Sequence, residues 1–184
     1  MKLKNKRVLV VGLGIAAALF PLAFGVFLPS RAFCQDQRSP REIVEEYCTL
    51  DAAGGNFDSR NPNFKIIGSL LVNPDEAGYD TSVIIRSFSV GNPVAGKTGV
   101  DVQVTYANVG LLAGGKLSKE LGSEKATFHL SKLGKSWKID GLRIDPHISK
   151  EWLLAEFERE LRAEEKAGAR NQDINANIAL LRQW

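Results

Sequence analysis

Residues 81–106 read TSVIIRSFSVGNPVAGKTGVDVQVTY, and their period of two decides the fold class. Residues 81–90 are crowded with β-branched and aromatic side chains. Val100, Val102, Val104 and Tyr106 then alternate with Asp101, Gln103 and Thr105. Alternation sends one set of side chains to each face, as in strands half-covered by a core. The stretch Gly91 to Gly99, with Pro93 and Gly96 inside it, separates the two strands as a loop.

Downstream the same period returns. Ala126, Phe128 and Leu130 alternate with Thr127, His129 and Ser131, and Leu133-Gly134-Lys135 turns the chain into Trp137-Lys138-Ile139 as a hairpin. Gly141 shifts the alternation to Leu142 and Ile144, which predicts a bulge in the last strand, and Asp145-Pro146 is expected to end the sheet. Residues 110–123, with four glycines and mixed charge, read as a mobile loop between strands.

Outside the sheet the period lengthens. Ser39-Pro40-Arg41-Glu42 has the residues of a capping box with Pro at the first helical position. Ile43, Val44, Tyr47 and Leu50 follow as the apolar stripe of a helix ending near Gly54-Gly55. A shorter helix is expected over Asn63 to Val72, stopped by Asn73-Pro74. After the sheet, Ser149 caps a long helix in which Leu153, Phe157 and Leu161 recur every four residues among charged neighbours. Gly168 interrupts it, and Ile174, Ile178, Leu181 and Trp184 form a second stripe. Helices of this length are marginal alone in water. Packing against the body is expected for the first, and an intermolecular or membrane-proximal contact for the second.

Segregated helices and strands argue for an α+β fold: a curved antiparallel sheet of about four strands, cone-shaped, wrapped on the N-terminal helices, with extra C-terminal helices. The opening helix SPREIVEEYCTLDAAG, the strands TSVIIRSFSVG and GVDVQVTYANVG, and the closing WKIDGLRIDPHIS together resemble the nuclear transport factor two-like superfamily, which includes ketosteroid isomerase and scytalone dehydratase. The similarity covers residues 39–150, and the layout looks like an exported bacterial branch; residues 149–184 extend beyond it.

That resemblance implies an apolar pocket between the first helix and the concave sheet face, lined by Tyr47, Asp51, Arg86, Tyr106, Phe128 and Trp137, and taking a small apolar ligand. It also implies homodimers that pair through their sheets, and no cofactor. Isomerase-like members use a Tyr and a carboxylate in the pocket to move a proton next to a carbonyl. Tyr47 and Asp51, at i, i+4 spacing, point the same way and are the candidates for that chemistry; Tyr106, His129 and Asp140 are further members. The plainer reading makes Tyr47 a core aromatic and Asp51 a solvated helix end. Arg86, a charge inside an apolar strand, is either on the convex face or the partner of an anion in the pocket. The leading expectation is a non-catalytic ligand-binding or accessory domain. The alternatives are a cofactor-independent isomerase or dehydratase, and a structural protein working through its C-terminal helices.

Residues 8–28, VLVVGLGIAAALFPLAFGVFL, follow the basic stretch Lys2 to Arg7 as an export signal. At 1.5 Å per residue such a helix is about 31 Å long, enough to span a hydrocarbon core. Against that, Pro21 breaks it, and Ala32-Phe33-Cys34 offers a cleavage site before Gln35. Residues 1–34 are therefore a cleaved signal peptide or a retained anchor, and the membrane is touched only through 8–28 if they are retained. Arg31 and Phe33 do not suit lipidation at Cys34. Gly12-Leu13-Gly14-Ile15-Ala16-Ala17 fits a dinucleotide fingerprint only in letters, since no amphipathic helix follows.

Composition excludes more than it selects. The chain has 184 residues, 44% of them apolar, with 24 Lys+Arg against 21 Asp+Glu and 2 Cys. Five of the basic residues precede position 35, leaving 19 against 21 in the body, so no basic face for nucleic acid is expected. Cys48 reads as a buried helix residue. His129 and His147 are too far apart and too few for a metal site. Gly96-Lys97-Thr98 lacks the context of a phosphate loop, and no Ser lies on a nucleophile elbow. Fusing residues 1–40 to a reporter active only after export should give full activity outside the inner membrane; activity retained in the cytoplasm would overturn the address.

Overall fold

The computed structural model describes residues 38–74, 79–141, 144–167 and 172–184. The export segment and Cys34, the turn at Gly168 and the inward step at Leu142 lie outside them.

The opening helix, α1 (Pro40–Ala52), starts as its capping box directs. Ser39 Oγ accepts from the Glu42 N–H at 3.3 Å, and Glu42 Oε2 accepts from the Ser39 N–H at 2.6 Å. Its buried stripe is Ile43, Val44, Tyr47, Cys48 and Asp51. The second helix, α2 (Pro62–Leu70), is capped by Asn61, whose side chain accepts from the Asn63 N–H, and it buries Ile67 and Leu70. It ends two residues before the expected Val72, because Leu71 turns extended to bridge Ile139 and the Val72 N–H donates to Ile139 O at 2.9 Å.

Six strands follow: β1 (Thr81–Val90), β2 (Val94–Ala95), β3 (Val100–Ala113), β4 (Lys116–Leu133), β5 (Ser136–Asp140) and β6 (His147–Ser149). They form one strongly curled sheet of order β5-β4-β3-β1-β6, with β2 pairing β3 from the side. The fold is α+β as expected, and the sheet corrects the reading in three ways. It has six strands rather than about four. It is mixed rather than antiparallel, because β6 pairs β1 in parallel through Val83–His147, Ile84–Ile148 and Ile85–Ser149. Asp145-Pro146 therefore does not end the sheet; three residues of strand follow it, too few to show a period.

The third correction concerns residues 110–123, which are not a loop. They belong to the long β3–β4 hairpin, paired from Val100–Leu130 out to Ala113–Lys116. Gly114 and Gly115, at φ 54° and 75°, make the two-residue turn that needs positive φ at both positions. The arm is exposed on β4, so its strand residues carry the polar composition of a loop.

Irregularities divide the sheet between two cores. Register shifts occur at Ile84, Ile85 and Ser87 on β1, and between Asn108 and Gly110 on β3. Gly141, the expected bulge, instead has φ 72° just past the end of β5. Adjacent Ile84 and Ile85 enter different clusters, as opposite faces require. Val102, Val104 and Tyr106 join Ile85, Phe128, Leu130, Ile139 and the stripes of α1 and α2. Beyond the shift, Val109 and Leu112 join Ile84, Ile148, Leu153 and Leu181.

The second core is covered by α3 (Lys150–Lys166) and α4 (Gln172–Arg182). Ser149 caps α3 by accepting from the Trp152 N–H at 3.1 Å. On α4, Ile174, Ile178 and Leu181 are buried, and the terminal Trp184 packs against the same core, its ring over Gly110. The stripe of α4 is thus covered by the chain's own sheet and helices, where an intermolecular or membrane-proximal contact was expected. Leu181→Ala should cost about 2–5 kcal/mol in urea unfolding, and Gly110→Ala, which forces a Cβ into the Trp184 ring, should also destabilise; a loss under about 0.5 kcal/mol for both would mean α4 is not a packing element.

Candidate functional site

The last turn of α1 places Asp51 one turn beyond Tyr47, and both are buried, Asp51 completely. Asp51 Oδ2 accepts from the His147 backbone N–H at 2.9 Å, 96 residues away on β6. Asp51 Oδ1 accepts from Asn56 Nδ2 at 2.8 Å, and Asn56 Nδ2 also reaches Tyr47 Oη at 3.1 Å. The turn after α1 brings Asn56 back: the Gly54 N–H donates to Asp51 O and the Gly55 N–H to Leu50 O, with Gly54 at φ 77°.

The His147 ring stacks on Tyr106 of β3, with centroids 3.8 Å apart and planes at 20°. Tyr106 Oη lies 3.3 Å from Cys48 Sγ. On the far side His147 Nε2 is 3.4 Å from Glu124 Oε2 of β4, which also accepts from Asn108 Nδ2 at 3.4 Å. One polar cluster therefore ties α1, the turn after it, β3, β4 and β6.

Burial dominates its protonation. It pushes the Asp51 carboxyl up to about 7, against the opposing pull of the His147 N–H and Asn56. It pushes the Cys48 thiol up to about 12, opposed by the contact to Tyr106. The Tyr47 hydroxyl is raised by burial and then by Asp51, Tyr79 and Cys48; Tyr106 is raised by burial and then by Cys48. The His147 imidazole is lowered by burial, against the pull of Glu124. In each of these groups burial is the largest influence and disfavours the charged form.

Of the residues named from sequence, Tyr47 and Asp51 do come together, through Asn56. Asp51 is not a solvated helix end, because the tie to β6 draws it inside. Tyr106 and Phe128 are fully buried, and Phe128 meets Tyr47 edge-on at 5.4 Å. Trp137 is half-buried on β5 beneath Lys132, whose Nζ is 5.7 Å from the ring centroid. Arg86 is exposed at the β1 irregularity, apart from the cluster. His129 pairs with Asp101 at 2.7 Å, and Asp140 accepts from Ser131 Oγ at 3.0 Å, both away from Asp51. Asn56, Glu124 and Asn108 carry no signal in the sequence, since nothing local marks them, and His147 enters there only as too isolated for a metal site.

Three adjoining surface grooves open on another side, along α3. One of about 330 Å³ is lined chiefly by Phe57, Tyr79, Ser82, Leu112 and Phe157. One of about 560 Å³ shares Phe57 and Phe157 and runs past Leu153 and Ala163. One of about 400 Å³ lies over Trp152, between the ion pairs Asp58–Arg60 and Glu156–Arg159. Phe57 lines the first two, its ring edge-on at 5.6 Å to the Trp152 ring of the third.

Among the described residues no three His, Cys, Asp or Glu side chains are grouped to hold a metal ion, and no helix is long and apolar enough to cross a membrane. Comparison with protein-family models, with curated proteins and with solved structures returns no match.

The raised carboxyl sets a pH dependence. A folded value near 7 against about 3.8 unfolded means the folded state holds this proton more tightly. The stability it contributes is present below about pH 4 and is lost as pH rises through 7. His147, lowered, works in the opposite sense, losing stability as pH falls below about 6.5. Subtracting the Asp51→Asn variant from the wild type isolates the carboxyl: between pH 5 and 8 the difference in unfolding free energy should move about 2 kcal/mol in the variant's favour, and a difference that does not vary with pH would refute the assignment.

Proposed function

We propose that the chain is an exported, non-catalytic ligand-binding or accessory domain of the nuclear transport factor two-like kind, and that its ligand is small and apolar. The observation that carries this is the groove of about 330 Å³ beside Phe57, Tyr79, Leu112 and Phe157. Its volume falls within the range of small-molecule sites, and apolar walls with a few polar groups, here Asp80 and Ser82, are their usual make-up. Phe57 and Tyr79 are each 39% exposed, and large exposed rings at the rim of a groove mark contact with a ligand or partner.

The non-catalytic half of the reading rests on Asp51 and Tyr47. Both carboxylate oxygens and the phenol oxygen are already engaged by Asn56 and the His147 N–H. In this reading α1, α2 and the curled sheet correspond to the superfamily's cone, residues 1–34 direct export, and copies pair through their sheets.

One observation favours a second reading, a cofactor-independent isomerase or dehydratase. A buried carboxyl pushed to about 7 beside a tyrosine is a group poised for proton transfer near neutral pH. For the leading reading, N-phenyl-1-naphthylamine should bind with a rise in fluorescence, and Phe57→Ala and Phe157→Ala should each weaken it about tenfold, the equivalent of one lost apolar contact. Leu133→Ser, at an exposed position elsewhere, serves as the control. Binding untouched by both Phe substitutions would sink the groove as the site.

A further inference from the structure

The groove of about 330 Å³ beside Phe57 has apolar walls and one polar corner, formed by Asp80 and Ser82 on either side of the first residue of β1. Asp80 is the only charged side chain among the described residues that line it. It is exposed, and among the described residues its carboxylate has no ion pair or hydrogen bond. Lys116, one residue beyond the Gly114-Gly115 turn, does not line the groove and makes no ion pair with Asp80.

Ser82 is 3% exposed, yet its hydroxyl makes no hydrogen bond to any described residue. It lies directly opposite Leu112 in the β1–β3 register and two residues before Ile84, so it shares their face of the sheet. Leu112 lines the same groove, which Phe157 of α3 closes from above. A buried hydroxyl without a partner is uncommon, and this one borders a space that holds a small molecule.

The adjoining groove of about 560 Å³ has the same charge balance. Arg60 and Arg159 are held there by Asp58 and Glu156. Glu160 lines that groove with no ion pair or hydrogen bond of its own among the described residues. The unmatched charges along the apolar floor, Asp80 and Glu160, are therefore both negative.

We propose that the groove beside Phe57 takes a primary amine on a small apolar body, the ammonium donating to the Asp80 carboxylate and the Ser82 hydroxyl and the body lying against Phe57, Leu112 and Phe157. The proposal rests on reading that groove as the ligand site and adds the chemical class of its ligand. An ammonium brings a positive charge and three N–H donors, and a carboxylate beside a hydroxyl offers acceptors for them. The exposed rings of Phe57 and Tyr79 suit a cation as well, because an aromatic face carries negative potential. A carboxylate ligand meets Asp80 as a like charge, and a quaternary ammonium has no N–H for Ser82.

Calorimetric titration of the full chain, at neutral pH and low salt, compares three ligands that share one ring: 1-naphthylmethylamine, 1-naphthylmethanol and 1-naphthoate. The amine should bind about tenfold tighter than the alcohol, and the carboxylate more weakly than either, as a charge-assisted contact at a partly exposed site gives. Asp80→Asn should shrink the amine's advantage to about twofold and Ser82→Ala to about threefold. Neither substitution removes a side-chain contact that the fold uses. Phe57→Ala should weaken amine and alcohol together. Equal affinity for amine and alcohol, or an advantage that survives Asp80→Asn, overturns the amine assignment; weakening of both by Phe57→Ala then leaves the groove standing as an apolar site. Amine binding that responds to Asp80→Asn but to neither Phe57→Ala nor Phe157→Ala refutes the groove as the seat of the apolar body, and the proposal with it. No binding of any of the three overturns both readings.

Discussion

The hydrogen bond from the His147 N–H to Asp51 Oδ2 joins the end of the first helix to the last strand, across 96 residues. Its setting gives it weight. A three-residue strand that pairs in parallel with Val83, Ile84 and Ile85 is a small element, and α3 begins at the next residue with Ser149 as its cap. The position of β6 therefore sets the direction in which α3 leaves the sheet. Asp51 anchors the first residue of β6, and Ile148, fully buried, anchors the second in the other core. The tie is buried, so removing one partner leaves the other unsatisfied, the costly side of an otherwise modest bond.

A second constraint is the place where the sheet changes faces. With both faces covered, the strands cannot keep strict alternation along their whole length. β1 and β3 resolve this with register shifts at the same level of the sheet, beside Ile84–Gly110 and Ile85–Asn108. On one side of the shifts Tyr106 and Phe128 fill the space under α1. On the other, Val109 and Leu112 meet Leu153 and Leu181. Gly110 lies at the shift and accepts the Trp184 ring, which no residue with a Cβ would allow without displacement.

Helix α1, the turn after it and α3 meet at Gly54, Phe57 and Trp152. Gly54 has positive φ, and a side chain there would run into the Trp152 ring. The same meeting point exposes Phe57 and creates the grooves along α3. The turn that carries Phe57 to these grooves also carries Asn56 to the Asp51 carboxyl, so one short segment borders both the surface and the buried polar cluster.

The sequence by itself determined the elements whose causes are local. The capping box at Ser39, the strands over 81–90 and 100–106, the turn at Gly134 and the cap at Ser149 are short-range effects, and each is found near its expected place. Tyr47 and Asp51 were also legible as neighbours, because one helical turn separates them. What the tertiary structure decided had distant or context-dependent causes. Residues 116–123 are strand although their composition is that of a loop, since pairing with β3 satisfies their backbone whatever their side chains. β6 exists only because β1 offers it an edge. Asp51 is buried because its partner His147 arrives from the other end of the chain, and α4 is covered because the second core forms beneath it. Sequence spacing records which residues share a face; which face meets which, and so whether a carboxyl lies in water or in the core, is settled only when segments far apart in the chain close on each other.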